Sequence, residues 1–235
     1  MLGLFPPTPE PEAERARLVA ASALTLLALF MLLHFIGGPP RVDASPSALR
    51  VERIQAFQTD LEACRAALLA SGFETAALPD LDGPGACGYE NAVELTASTH
   101  AHSEPLAANC ALTAAFALWE RDVVAQTAAR RFGQPVAEIQ LAGPAYSCRR
   151  VAGRADRRLS EHARGNAVDI RGFVLADGRE ISIARGWRGD AGERAFLREI
   201  RDGACGHFAA VLSPDYNRAH RDHFHFDLGR DSLCR

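Results

Sequence analysis

The sequence predicts an α+β fold: a small antiparallel sheet flanked by helices, preceded by one N-terminal transmembrane helix. Three observations carry that expectation. Apolar residues recur every three or four positions in two stretches, 51–68 and 105–131, as in helices that bury one face. Residues 166–184 and 223–228 instead alternate or run apolar, the former around an Asp177-Gly178 turn, as strands do. Residues 18–36 carry no charged side chain, and about 20 such residues suffice to cross a bilayer.

Composition narrows the class. Charged residues are 23% of the 235 and the hydrophobic set 48%, which excludes a disordered chain and a polytopic membrane protein. With a net charge of −3 and no long basic block, nucleic acid is not an expected partner. All 26 basic residues are arginine, so no mechanism here uses a Schiff-base or phosphate-loop lysine. The six cysteines, Cys64, Cys87, Cys110, Cys148, Cys205 and Cys234, all follow the apolar run, and none forms a C-x-x-C pair. An even, scattered set suggests up to three disulfides and an oxidising compartment; reduced, buried cysteines are the blander alternative. Sequence proximity favours Cys64–Cys87, Cys110–Cys148 and Cys205–Cys234, because shorter loops close at less entropic cost.

Taken in chain order, residues 1–17 read as a cytoplasmic tail, 18–36 as the anchor, 37–47 as a Gly/Pro/Ser-rich linker and 48–235 as the folded domain. A cleaved signal peptide competes for 18–36, with Val42-Asp43-Ala44 as its cleavage site, but the apolar run exceeds what a signal core needs. Arginines flank the run on both sides, so charge does not orient it; the cysteines place the domain on the oxidising side. Val51, Ile54, Phe57, Leu61, Cys64 and Leu68 then form one helical face, ended by Gly72. Residues 73–104 are turn-rich, with a strand at 92–96. A second helix fills 105–131, with Pro105 near its first turn and Gly133 past its end. Residues 166–175 and 180–184 make a strand pair, residues 191–202 a short helix capped by Gly203, and residues 223–228 a last strand.

Chemistry concentrates in two segments. The first runs from Ser160 through His162 to Asp169; the second holds His220, Asp222, His223, His225 and Asp227. In a strand, His223, His225 and Asp227 share one face and Phe224, Phe226 and Leu228 the other, so the aromatic face packs and the imidazoles line a site. Asp169 alternates with Val168 and Ile170 and also leaves the apolar face. Two strands offering nitrogen and oxygen donors on one face suit a divalent metal, and two histidines, an aspartate and a water are how a catalytic zinc is held.

The run Ser160-x-His162-x2-Gly165-x-Ala167-x-Asp169, followed by His223-x-His225, resembles the lysostaphin, D-Ala-D-Ala metallopeptidase and hedgehog group. His220-x2-His223-x-His225 is similar to the penicillin-insensitive murein endopeptidases. The stretch from Cys64 to Cys234, with Cys87-Gly88 and Tyr146-Ser147-Cys148-Arg149, looks most like the bacterial extensin-like C-terminal domain family. The resemblance implies zinc held by His162, Asp169 and His225, and His223 as the group that hydrogen-bonds or deprotonates the zinc water. It implies His220 beside His223, Arg149 steadying a substrate carbonyl, and Ser160 meeting substrate. Carboxypeptidases of the group carry Glu-x-x-His; here Asp222 stands three before His225, and strand parity would turn it away, so His223 is the preferred base and Asp222 the runner-up.

Weaker candidates remain. His100 and His102 read as surface residues, Trp187 as a cleft liner or a buried anchor, and the 13 arginines against 8 acids in residues 149–201 as a solvated face or an anionic-peptide surface. The resulting expectation is a membrane-anchored, zinc-dependent peptidase of peptidoglycan stem peptides, of D,D-carboxypeptidase or endopeptidase type. It would sit at the bacterial inner membrane with its soluble domain in the periplasm. The alternative is a non-catalytic wall-binding or scaffolding module that keeps the zinc structurally.

Overall fold

A computed structural model describes residues 47–151 and 158–235, and within them the first amphipathic stretch forms two helices rather than one. Helix α1 (Ser47–Ala56) runs into a 3-10 turn, Phe57–Thr59. Asp60 then starts α2 (Leu61–Ala70) by accepting the Ala63 amide hydrogen at 2.9 Å. An aspartate cap breaks a helix even where the apolar stripe continues through it. Gly72, at φ +88°, terminates α2 as expected.

The turn-rich stretch holds β1 (Glu74–Ala77), β2 (Leu81–Asp82), β3 (Gly88–Tyr89), β4 (Ala92–Ala97), β5 (Ala101–His102) and β6 (Ala107–Asn109). Strands β1, β4 and β6 form an antiparallel sheet in that order, and β2 pairs with β3. The second helix starts later than periodicity suggests, because Pro105 precedes a strand. Helix α3 (Cys110–Trp119) is capped by Asn109, whose Oδ1 accepts the Ala111 amide hydrogen at 3.0 Å. All ten of its residues are buried, as befits a helix that is apolar all round. A π-helical turn, Glu120–Val124, leads into α4 (Ala125–Phe132), which ends at Gly133.

The remaining elements are β7 (Val136–Leu141), β8 (Ala167–Leu175), β9 (Glu180–Ser182), α5 (Ile183–Gly186), α6 (Ala191–Ala204), β10 (Ala210–Leu212), β11 (Phe224–Asp227) and β12 (Leu233–Cys234). Seven strands join in the order β12-β10-β11-β8-β7-β5, with β9 also on β8. The sheet is mixed rather than purely antiparallel, since β5 runs parallel to β7 and β12 parallel to β10. Strand β8 is its axis: β7 lies along one edge, while β11 and β9 share the other. Helix α3 covers one face, where Trp119 meets Phe226 at 5.3 Å between ring centroids and donates its indole N–H to the Ile200 carbonyl. The opposite side of β8 and β11 carries Asp169 and His225. That division of faces positions the site.

Two further expectations are corrected. The disulfides are Cys64–Cys110, Cys87–Cys148 and Cys205–Cys234, so only the last of the expected pairs is present. Each doubling of loop length costs only about 0.6 kcal/mol, too little to override the packing that joins α2 to the start of α3. The expected transmembrane helix, residues 18–36, lies outside the described residues, and among those described no helix is long and apolar enough to cross a membrane. The longest continuous helical stretch among the described residues, 110–132, carries Glu120, Arg121, Asp122, Arg130 and Arg131. The described residues are therefore α+β with no helix able to cross a membrane, and they give no support to the single-pass inner-membrane placement that rested on residues 18–36.

Candidate metal centre

Three polar side chains converge where β8, β11 and one loop meet. His225 and Asp169 are directly opposite each other in the antiparallel β8–β11 pair, and both side chains leave the aromatic face. His162 comes from a 3-10 turn, Glu161–Arg164, just before β8. Ser160 starts that turn, its Oγ accepting the His162 amide hydrogen at 3.4 Å, and Gly165 ends it at φ +59°, where a side chain would be strained. The preceding loop is stitched to the turn: Ser147 N donates to the His162 carbonyl and Ser160 N to the Arg149 carbonyl. The Cys87–Cys148 disulfide holds that loop to β3, beside the edge-to-face pair of Tyr89 and Tyr146.

His162 Nε2, His225 Nδ1 and Asp169 Oδ1 form a triangle with edges of 3.2, 3.2 and 2.9 Å. All three residues are buried. Their protons are accounted for elsewhere. His162 Nδ1 lies 3.1 Å from the Ala145 carbonyl, which can only accept, so the N–H sits on Nδ1 and Nε2 presents a lone pair. His225 lies between two carboxylates, Nε2 3.0 Å from Asp227 Oδ2 and Nδ1 2.9 Å from Asp169 Oδ1, so a neutral ring can donate to only one of them; with its N–H on Asp227, Nδ1 faces inward as a lone pair. Three acceptors thus meet with no neutral donor among them, and only a cation, a proton or a metal ion, reconciles them. Metal bonds of about 2.0–2.2 Å in a tetrahedron separate donor atoms by roughly 3.3–3.6 Å, close to these edges. The donor set fits.

The electrostatics agree. Burial alone would raise Asp169, but hydrogen bonds and charge from His162 and His225 outweigh it and hold the carboxyl well below its usual range. Burial alone would lower His225, but Asp169 and Asp227 raise it to about 9. Arg149 reaches the outer oxygen of Asp169, Nη2 to Oδ2 at 3.2 Å, and its side chain stays half exposed.

The other expected residues surround this triangle. His223 Nε2 is 3.9 Å from Asp169 Oδ1, and its Nδ1 donates to Asp222 Oδ1 at 2.9 Å, a bond that keeps Asp222 below its usual range. Strand β11 starts only at Phe224, so parity does not govern Asp222; it stands behind His223 rather than on the opposite face. His220 donates from Nδ1 to Asn217 Oδ1 at 2.8 Å, and its ring lies 5.2 and 5.8 Å from those of His223 and His225. Burial, then the neighbouring imidazoles, push it down to about 4. Ser160 is buried and engaged with the His162 turn. Trp187 is an anchor: fully buried, its N–H on Asp215 and its ring against Phe224. His100 and His102 are not surface residues; His100 is buried and bonded to the Val136 carbonyl, and His102 pairs with Glu120. Asp227 shares its strand face with His225 in the sequence, yet nothing there assigns it a role. The Ala145 carbonyl leaves no sequence signal at all.

Residues 62–235 match the family model described as the extensin-like protein C-terminus. The chain belongs to the extensin-like C-terminal family. No curated protein and no solved structure matches it. Within the extensin-like domain, His162, Asp169 and His225 are the His/Cys/Asp/Glu group that could hold a metal among the described residues. A large concavity of about 1390 Å³ lies elsewhere, between α1 and residues 228–234, and none of the three lines it. A smaller groove of about 480 Å³, also lined by none of the three, ends beside them on Asp222 and His223.

Proposed function

We propose that this extensin-like domain is a zinc-dependent hydrolase of peptide bonds in cell-wall peptidoglycan, and that its metal motifs ally it to the lysostaphin and D-Ala-D-Ala metallopeptidase group. The observation that carries the reading is the triangle of His162 Nε2, His225 Nδ1 and Asp169 Oδ1, three inward lone pairs without a neutral donor. Zinc held there supplies Lewis acidity toward a peptide carbonyl and toward water. The protein supplies the rest. Asp227 and the Ala145 carbonyl fix the two imidazoles in the required tautomers. Arg149 steadies Asp169 and, being half exposed, turns its remaining N–H groups to a substrate carbonyl oxygen. His223, oriented by Asp222, has an Nε2 free to take a proton beside the triangle. Water then adds to the acyl carbon, the C–N bond breaks, and the proton held by His223 passes to the leaving amine. The three disulfides suit a protein that works where thiols oxidise.

The test is incubation of the purified chain with isolated peptidoglycan, with zinc and with chelator, followed by fragment analysis. Zinc-dependent release of stem-peptide fragments supports the proposal. A folded, zinc-loaded chain that binds the wall and cuts nothing replaces it with a binding module.

A further inference from the structure

The groove that ends on His223 carries one charge with no partner. Arg171 lines it together with Gln140, Glu180, Ser182, Asp222 and His223. The two acids are engaged: Glu180 Oε1 lies 3.6 Å from Arg185 Nη2, and Asp222 holds His223. Among the described residues, Arg171 has no hydrogen-bond acceptor, carboxylate or aromatic ring against it.

Its place on that face is built. Strand β8 pairs Gln140 with Gly172 and Leu141 with Ile170, which leaves Arg171 as the extra residue of a bulge. A bulge shifts side-chain parity by one. Before it, Val168 and Ile170 face the core while Asp169 faces the triangle; after it, Phe173 and Leu175 face the core. Arg171 thus stays exposed on the side of Asp169, two residues and roughly 6–7 Å along the strand. Glycine at 172 is what permits this. A Cβ there would stand 2.8 Å from Gln140 Oε1 and 2.9 Å from the Ile181 carbonyl oxygen.

We infer that Arg171 is a carboxylate-binding subsite, and that the groove takes peptides whose last residue carries a free terminal carboxylate. This rests on the hydrolase reading and narrows it to removal of a C-terminal residue. The spacing suits it, because a terminal carboxylate lies only one residue, about 3.3–3.6 Å of extended chain, beyond a scissile carbonyl. A guanidinium presents paired N–H donors matched to a carboxylate, and Arg171 has no internal acceptor to compete.

The probes are acetyl-L-Lys-D-Ala-D-Ala as free acid, its C-terminal amide, and an amide with glutamate as its last residue. Binding to the zinc-loaded full chain is followed by calorimetry and cleavage by chromatography, in wild type, Arg171→Gln and Arg171→Lys. The expected result is a preference of about 10–100-fold for the free acid over both amides, lost in Arg171→Gln and partly kept in Arg171→Lys. Undiminished preference in Arg171→Gln, equal binding of the glutamate amide, or no saturable binding of the free acid at millimolar concentration each overturns the subsite. Arg171-dependent binding without cleavage keeps the subsite and defeats the hydrolase. Cleavage of acid and amide alike, unchanged in Arg171→Gln, does the reverse.

Discussion

Two buried clusters in this domain each join a carboxylate to imidazole, and they differ in one respect. In the first, Glu120 on the π-helical turn is fully buried and accepts from Ser98 Oγ–H on one oxygen and His102 Nε2–H on the other. Donors and acceptors match, so the cluster is closed and binds residues 98–102 to the helix. In the second, Asp169 meets two imidazoles whose outer nitrogens already face acceptors, the Ala145 carbonyl and Asp227. Acceptors outnumber donors there, and the cluster is open to a cation. A buried histidine beside a buried acid is therefore not by itself a site; the sign of the imbalance distinguishes a closed contact from a candidate cation site.

The largest expected effect removes one corner of the open cluster. His162→Ala and His225→Ala should lose stoichiometric zinc and all wall-peptide hydrolysis, as read by metal analysis and fragment release. His223→Ala should keep zinc, since the triangle is intact, and lose about 10²–10⁴-fold in hydrolysis rate. Next come the outer partners. Asp227→Asn should weaken zinc about 10–100-fold by loosening His225, and Asp222→Asn should keep the metal but slow hydrolysis about tenfold. An Asp222→Asn chain as inactive as His223→Ala would make Asp222 the proton acceptor instead.

The closed cluster should respond in stability alone. Glu120→Gln sets an amide N–H₂ against a donor, costs about 1–3 kcal/mol in denaturant unfolding, and leaves zinc affinity unchanged. Another buried histidine, His207, gives an effect that is read against pH. His207 donates to the Gly203 carbonyl and accepts from Arg50, and burial pushes it down to about 4. The unfolded chain takes up this proton near pH 6.5. The stability that neutral His207 contributes is thus full above pH 6.5 and lost as pH falls toward 4, by up to about 3 kcal/mol. His207→Gln should flatten the unfolding free energy across that window.

Much of the open cluster is legible in the amino-acid sequence. Period-two alternation puts His225 and Asp169 on the face opposite Phe226 and Val168, and their cross-strand pairing follows once β8 and β11 are neighbours. Which nitrogen of each imidazole points inward is not legible, because it depends on a carbonyl 17 residues from His162. Asp222 escapes the alternation rule for a related reason: parity holds only inside a strand, and β11 begins two residues later. Strands β2, β3, β5 and β12 are two residues each, too short to show a period, and exist because distant partners offer an edge. Asp60 and Asn109 are good caps by residue type, but the apolar stripes running through them mask the helix breaks they make. The bulge at Arg171 leaves no local mark except Gly172.

Zinc titration into the chelator-treated full chain by calorimetry, alongside His162→Ala and Glu120→Gln, tests the open cluster most directly. One saturable site is expected in the wild type, none in His162→Ala, and an unaltered site in Glu120→Gln. Saturable binding that survives in His162→Ala, or no binding in the folded wild type, would contradict a metal centre at His162, Asp169 and His225.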